Sequence, residues 1–224
     1  MRKPVIAMDG YSSTGKSSIS KIIAKKLDLV HLDTGSLYRA ITYYALKNCL
    51  DNDGKIDLNK LYADFHLLKI TFKIQEHELK LYLNGENMSQ KIRQLKVNNH
   101  VSFIAKQPEI REFLLNLQRN TAVNGGIIMD GRDIGAFVLP DADYKFFLTA
   151  SIEERTKRRF RELQGMGIET DEKTVGENLI KRDKIDSERE VSPLRQAKDA
   201  VLIDNTLISK EETIDLILSK IRKF

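Results

Sequence analysis

The 224-residue chain contains one cysteine, Cys49, no tryptophan and only four prolines. A single cysteine excludes an internal disulfide, and no Cys/His cluster at metal-ligand spacing accompanies it, so a reducing compartment is expected. Few prolines, no low-complexity tract and 41% hydrophobic residues exclude extensive disorder. A long hydrophobic run is missing as well. The apolar stretch from Pro4 to Met8 follows a basic Arg2-Lys3 but stops at Asp9, well short of a signal-peptide core or a membrane span. A cytoplasmic protein with no membrane contact is expected. Charge of one sign is not strongly in excess: 37 Lys and Arg against 32 Asp and Glu leave +5. The basic residues are scattered and carry no RNA-binding aromatic signature or helix-turn-helix pattern, so small phosphorylated ligands are expected rather than nucleic acid.

Five short apolar runs, at residues 4–8, 29–32, 127–129, 144–148 and 201–203, have the character of buried parallel strands. Helical stretches lie between most of them, over 16–27, 36–48, 108–123, 152–164, 172–188 and 210–220. Alternating strands and helices predict an α/β fold built on a five-stranded, doubly wound parallel sheet. Residues 66–93 differ: apolar and polar positions alternate about a turn at Gln75-Glu76-His77-Glu78 and reach Asn84-Gly85. That pattern predicts an antiparallel insertion of two or three strands. The charged stretch EERTKRRFRELQGMG ends in Gly165 and Gly167, giving helix, hinge or lid, and helix.

Gly10-Tyr11-Ser12-Ser13-Thr14-Gly15-Lys16-Ser17, followed by Ser18, matches G-x-x-x-x-G-K-[ST] in full. A strand precedes it, and an amphipathic helix carrying Ile19, Ile22, Ile23 and Leu27 follows. Glycines at both ends let backbone N–H groups converge on phosphate oxygens without Cβ clashes. Lys16 is placed to reach the β- and γ-phosphates, and the Ser17 hydroxyl to join a Mg²⁺ shell. The stretch therefore predicts a nucleoside triphosphate site and does not fix the base of the donor. GTPases, motors and small-molecule kinases share it, so the acceptor has to come from other residues. No guanine-selecting N-K-x-D occurs.

The second strand runs into HLDTGSLYR, residues 31–39, which sets Arg39 at the carboxyl edge of the sheet, where a guanidinium can grip a monophosphate bidentately. IIMDGRD ends a buried strand on Asp130, a Walker-B-like carboxylate; Asp33 competes with it for the metal shell beside Ser17. Arg182, Asp186 and Arg189 fall at i, i+4 and i+7, one face of a helix. Together with DGRDIGAFVLPDADYKFFLTAS (130–151), KRDKIDSERE (181–190) and the insertion, these motifs resemble the bacterial cytidylate kinase family over essentially the whole chain.

The resemblance implies transfer of the γ-phosphoryl group of ATP to CMP, and to dCMP, with Mg²⁺. It implies one kinase domain over 1–224, with a monophosphate-binding subdomain at about 34–104 and a lid at about 155–170. Lys16, Arg132 and Arg189 become the catalytic residues. Thr34, Arg39 and Arg132 with Arg182, Asp186 and Arg189 would hold the acceptor's phosphate and sugar, and Ser102, Arg111 and Asp133 its base. Asp133 opposite the cytosine amino group suits that base, whose edge offers one donor beside two acceptors. Arg158, with Arg155 and Arg159 in the lid, would meet the triphosphate. A monomer acting on small molecules is expected. The chain departs from the family pattern at Tyr11, where proline is common, and at Ala136, where threonine is usual.

Overall fold

A computed structural model describes residues 2–221. The chain runs β1 (Val5–Gly10), α1 (Lys16–Lys26), β2 (Val30–Asp33), α2 (Gly35–Asn48), α3 (Leu58–Ala63), β3 (Ile70–Gln75), β4 (Glu78–Leu83), β5 (Glu86–Asn87), α4 (Leu95–Ala105), α5 (Pro108–Ala122), β6 (Ile127–Asp130), β7 (Tyr144–Thr149), α6 (Ile152–Gly165), α7 (Glu172–Glu188), β8 (Val201–Asp204) and α8 (Lys210–Lys220). The five anticipated strands are β1, β2, β6, β7 and β8, and they pair in parallel in the order β2-β6-β1-β7-β8.

β1 shows why the sheet is covered on both faces. All six of its residues are buried. Ile6 and Met8 point to α1 and α8, where they meet Ile19, Ile23, Ile214 and Ile217. Val5 and Ala7 point the other way, to Ala122 at the end of α5 and to Ile134 and Val138. Apolar residues on both sides of a strand require helices on both sides.

The sheet is larger than the five strands expected. β3 and β4 pair antiparallel over Ile70↔Leu83 to Gln75↔Glu78, β5 adds to β4, and β4 joins β2 through a single parallel bridge, His31↔Glu78. The insertion thus extends one eight-stranded sheet. Glu76 and His77 make the hairpin turn with φ of 49° and 64°. That turn brings the His77 carbonyl to 2.7 Å from the His31 amide. Lys21 of α1 and Lys80 both pair with Glu78 at the same junction. The hairpin's inner face packs with α2, α4 and α5 around Leu37, Ile41, Leu81, Leu83, Met88 and Ile104.

Two further differences are local. Leu58–Ala63 is helical, with the Asp57 side chain accepting from the Lys60 amide as its cap; six residues are too few to announce themselves by periodicity. α7 stops at Glu188, so Arg189 is its extended cap residue (φ −63°, ψ 142°) and does not share the helical face of Arg182 and Asp186.

Candidate active site

The carboxyl ends of β1, β2 and β6 converge on one cavity of about 420 Å³. At its floor is the loop between β1 and α1. Gly10 has φ 144°, and a Cβ there would sit 2.0 Å from the Leu148 carbonyl oxygen. Gly15 caps α1 in the left-handed region at φ 86°, a conformation costly for any residue with a side chain. The loop and the start of α1 line the cavity through Ser12, Ser13, Gly15, Lys16, Ser17 and Ser18, and a helix N-terminus behind a glycine loop is an arrangement that binds anions. Lys16 is 5% exposed, and its ammonium donates to the Tyr11 carbonyl at 2.7 Å. Burial, and next the nearby Arg132, push its pKa down to about 7.

Ser17 Oγ donates to Asp130 Oδ1 at 2.8 Å, while His31 Nε2 sits on Asp130 Oδ2. Burial alone would raise the Asp130 carboxyl; His31, Lys16 and Ser17 outweigh it and hold it below its ordinary value. Asp33, left in balance with Asp130 by the sequence, is held instead by Arg39. Thr34 donates its hydroxyl to the Asp130 carbonyl at 2.8 Å, which fixes the start of α2 against β6.

The far side of the cavity is cationic. Arg132 Nε donates to Asp186 Oδ2 at 2.9 Å, and Arg39, Arg159 and Arg182 line the same space. Arg182 Nε is buried without a hydrogen-bond partner, and burial followed by Arg132 lowers its pKa to about 10. Deeper still, Asp133 is 4% exposed between two guanidiniums: Arg111 Nη2 binds Oδ2, and Arg189 Nη2 lies 3.2 Å from Oδ1. Arg111 also donates to the Ala105 carbonyl at 3.1 Å and rests 5.4 Å from the Tyr38 ring. Ser102 of α4 is buried and lines this end.

The cavity therefore collects Ser12, Ser13, Gly15, Lys16, Ser17, Ser18, Asp33, Thr34, Arg39, Ser102, Arg111, Arg132, Asp133, Arg182, Asp186 and Arg189. Gly10, Tyr11 and Thr14 do not line it. Arg158 opens on a neighbouring cavity with Ser13, Thr14 and Gly15, where Asn205 takes its guanidinium through both its side-chain and main-chain oxygens. The other two arginines of this part of α6 are paired as well: Arg155 with Asp183, and Arg159 with Glu162 while lining the main cavity.

Sequence reasoning missed Asn205, Asp9 and Tyr38. Asn205 is 2% exposed and donates to the Thr14 carbonyl at 2.9 Å. Its signal was available, since it follows β8 directly at the carboxyl edge of the sheet. Asp9 accepts from the amides of Ile134 and Gly135 at 2.8 and 2.7 Å, so it holds the turn that follows Arg132 and Asp133. A carboxylate inside an otherwise apolar, buried strand is itself an indication of such a task.

A model of the cytidylate kinase family matches residues 6–223. The cytidylate kinase of Geobacillus sp. (strain WCH70) is 46% identical over 216 residues, covering 95% of this chain and 94% of that one. That of Enterococcus faecalis is 45% identical over 223 residues, with 100% and 97% covered. A solved structure of an uncharacterized protein from Eubacterium ventriosum shares the fold, with a TM-score of 0.50 at 14% identity over 97% of each chain. A match across nearly every residue, on a chain whose cavity joins a phosphate loop to a bank of arginines, shows that it belongs to the cytidylate kinase family.

Proposed function

We propose that this chain transfers the γ-phosphoryl group of ATP to CMP and dCMP, giving ADP and the nucleoside diphosphate, as a cytoplasmic monomer of pyrimidine nucleotide metabolism. The observation that carries the reading is the two-ended cavity. One end offers Lys16 and loop amides, the middle holds Arg132 and the unpartnered Arg182, and the far end presents a carboxylate clamped by two arginines. Donor phosphates, acceptor phosphate and acceptor base each find a complement along that line.

The acceptor oxygen of a monophosphate is already anionic, so no strong general base is required and the work is positioning and charge neutralisation. Lys16 neutralises the migrating group from the donor side. Arg132, oriented by Asp186, and Arg182 fix the acceptor phosphate in line with it. Asp133 has lone pairs to spare beyond its two arginines and accepts from the cytosine amino group, with Ser102 and Arg111 at the remaining base edge. Asp186 and Arg189 stand where the sugar lies between phosphate and base.

Mg²⁺ fits the donor set present. The Ser17 hydroxyl and the Asp130 carboxylate are hard oxygen donors, already hydrogen-bonded to each other. Among the described residues no three His, Cys, Asp or Glu are grouped to hold a metal alone, as befits an ion shared with substrate phosphates. Bound there, Mg²⁺ supplies charge to the β- and γ-phosphate oxygens. Asp130, rather than Asp33, is the carboxylate this arrangement favours.

No helix among the described residues is long and apolar enough to cross a membrane. ADP release measured across CMP, dCMP, UMP, AMP and GMP tests the function. Turnover confined to the cytidine acceptors is expected; equal or greater turnover with UMP overturns the acceptor assignment.

A further inference from the structure

The loop residue that departs from the family pattern, Tyr11, is gripped on both sides. Its ring meets Phe147 of β7 edge-on at 5.8 Å between centroids. The Arg155 guanidinium lies over the ring, 5.2 Å from its centroid. Arg155 belongs to α6 and pairs with Asp183 of α7; its own Nε is fixed by the Ala150 carbonyl at 3.0 Å. The same two side chains reach the next residue of the loop. Arg155 Nη1 donates to the Ser12 carbonyl at 3.3 Å, and Asp183 Oδ1 accepts from the Ser12 amide at 3.5 Å. On the cavity side, the Tyr11 carbonyl accepts from Lys16 Nζ.

We propose that Tyr11 is a positioning residue that couples the α6–α7 hairpin to the phosphate loop. Its ring seats the Arg155–Asp183 pair against the Ser12 peptide, and its carbonyl thereby fixes where the Lys16 ammonium waits. A loop held this way meets the donor phosphates without having to order itself on binding. The hydroxyl plays no part; the ring face does. The proposal rests on residues 10–18 being the donor site, which the turnover of Lys16→Ala tests separately.

Tyr11→Leu keeps apolar bulk against Phe147 and removes the face under the guanidinium. The KM for ATP should rise about three- to tenfold, the range expected for losing a partly desolvated cation–π contact. The KM for CMP should stay at the wild-type level. Tyr11→Phe should restore the wild-type KM for ATP. Arg155→Lys, which keeps a charge for Asp183 but loses the planar face, should reproduce the ATP effect even if Tyr11→Leu does not fold, and the double variant should be no worse than the worse single one. A wild-type KM for ATP in Tyr11→Leu or, where that variant does not fold, in Arg155→Lys overturns the proposal. So do equal rises for both substrates, failure of Tyr11→Phe to restore, or additive losses in the double variant.

Discussion

Asp133 serves two demands at once, because the carboxylate proposed to read the acceptor base also neutralises Arg111 and Arg189 in a buried corner. Asp133→Asn should therefore act twice. Leaving two buried guanidiniums facing a neutral amide costs stability, on the order of 3 kcal/mol for breaking a buried pair. Recognition changes selectively: the amide can donate to the uracil carbonyl that the carboxylate repels, so the CMP to UMP ratio of kcat/KM should fall by about tenfold or more. The KM for ATP should not move. An unchanged ratio, measured with ATP saturating, removes Asp133 from base recognition. Lys16 shows the opposite balance. Burial lowers its pKa from 10.5 to about 7, so the fold penalises the very charge that the reaction uses. Lys16→Ala should cost about two orders of magnitude or more in kcat with no loss in Tm, a trade of stability for activity. Near-normal turnover in the folded variant would take the loop out of the mechanism. At this scale the phosphate loop was legible because its chemistry dictates residue types at fixed spacing. Asn205 and Asp9 could be marked by position alone, but their partners were not legible, because one buried amide or carboxylate acquires its task only from the backbone groups that the fold brings to it.

The hairpin of β3 and β4 was readable from its alternation, since Ile70 and Phe72 of β3 face the cluster with α2 and α4 while Thr71 and Lys73 between and beside them are exposed. Its fusion to the parallel sheet was not, because a single bridge at His31 and Glu78 leaves no periodic trace. The hairpin does not line the main cavity itself but packs on α4, whose Asn98, Val101 and Ser102 do. Adding CMP should slow amide exchange over residues 70–87 and in α4, whereas unchanged exchange there counts against a closing role. The end of α7 carries a similar lesson. Spacing alone set Arg189 on a helical face, but Pro193 bars Ser192 from helix, and the chain leaves α7 four residues earlier. Arg189 then donates to the Ser192 carbonyl at 2.8 Å and turns to Asp133. Arg189 lines the cavity, and the geometry that delivers it there is a helix end.

Across the whole molecule, five strands and six of the helices were legible; burial on both faces of β1, β6 and β7 writes apolar runs, whereas β8 is an edge strand that keeps such a run with Val201 and Leu202 exposed, and a strand order with a switch at β1 puts the carboxyl ends around one cavity. What ties that cavity to the core is the buried Asp9, which links the middle strand to the turn carrying Arg132 and Asp133. Burial pushes its carboxyl from 3.8 up to about 7, against the pull of the two amides it accepts from. The sign follows from proton counting. Below about pH 4 the group is protonated in both folded and unfolded chains; between there and pH 7 the unfolded chain gives up its proton and the folded one keeps it. Stability from this group is thus fully present in acid and lost as pH rises through about 7. Asp9→Asn cannot ionise and offers one acceptor to two amides, so at pH 4.5 it should be less stable than wild type by about 1–3 kcal/mol, the cost of a buried unmet donor. As the wild type meets its ionisation cost, the difference should narrow by pH 7.5. Urea unfolding of both proteins at pH 4.5, 6 and 7.5 measures it directly, and a difference that stays constant or widens with pH would mean that Asp9 is ionised throughout and holds the turn as a carboxylate.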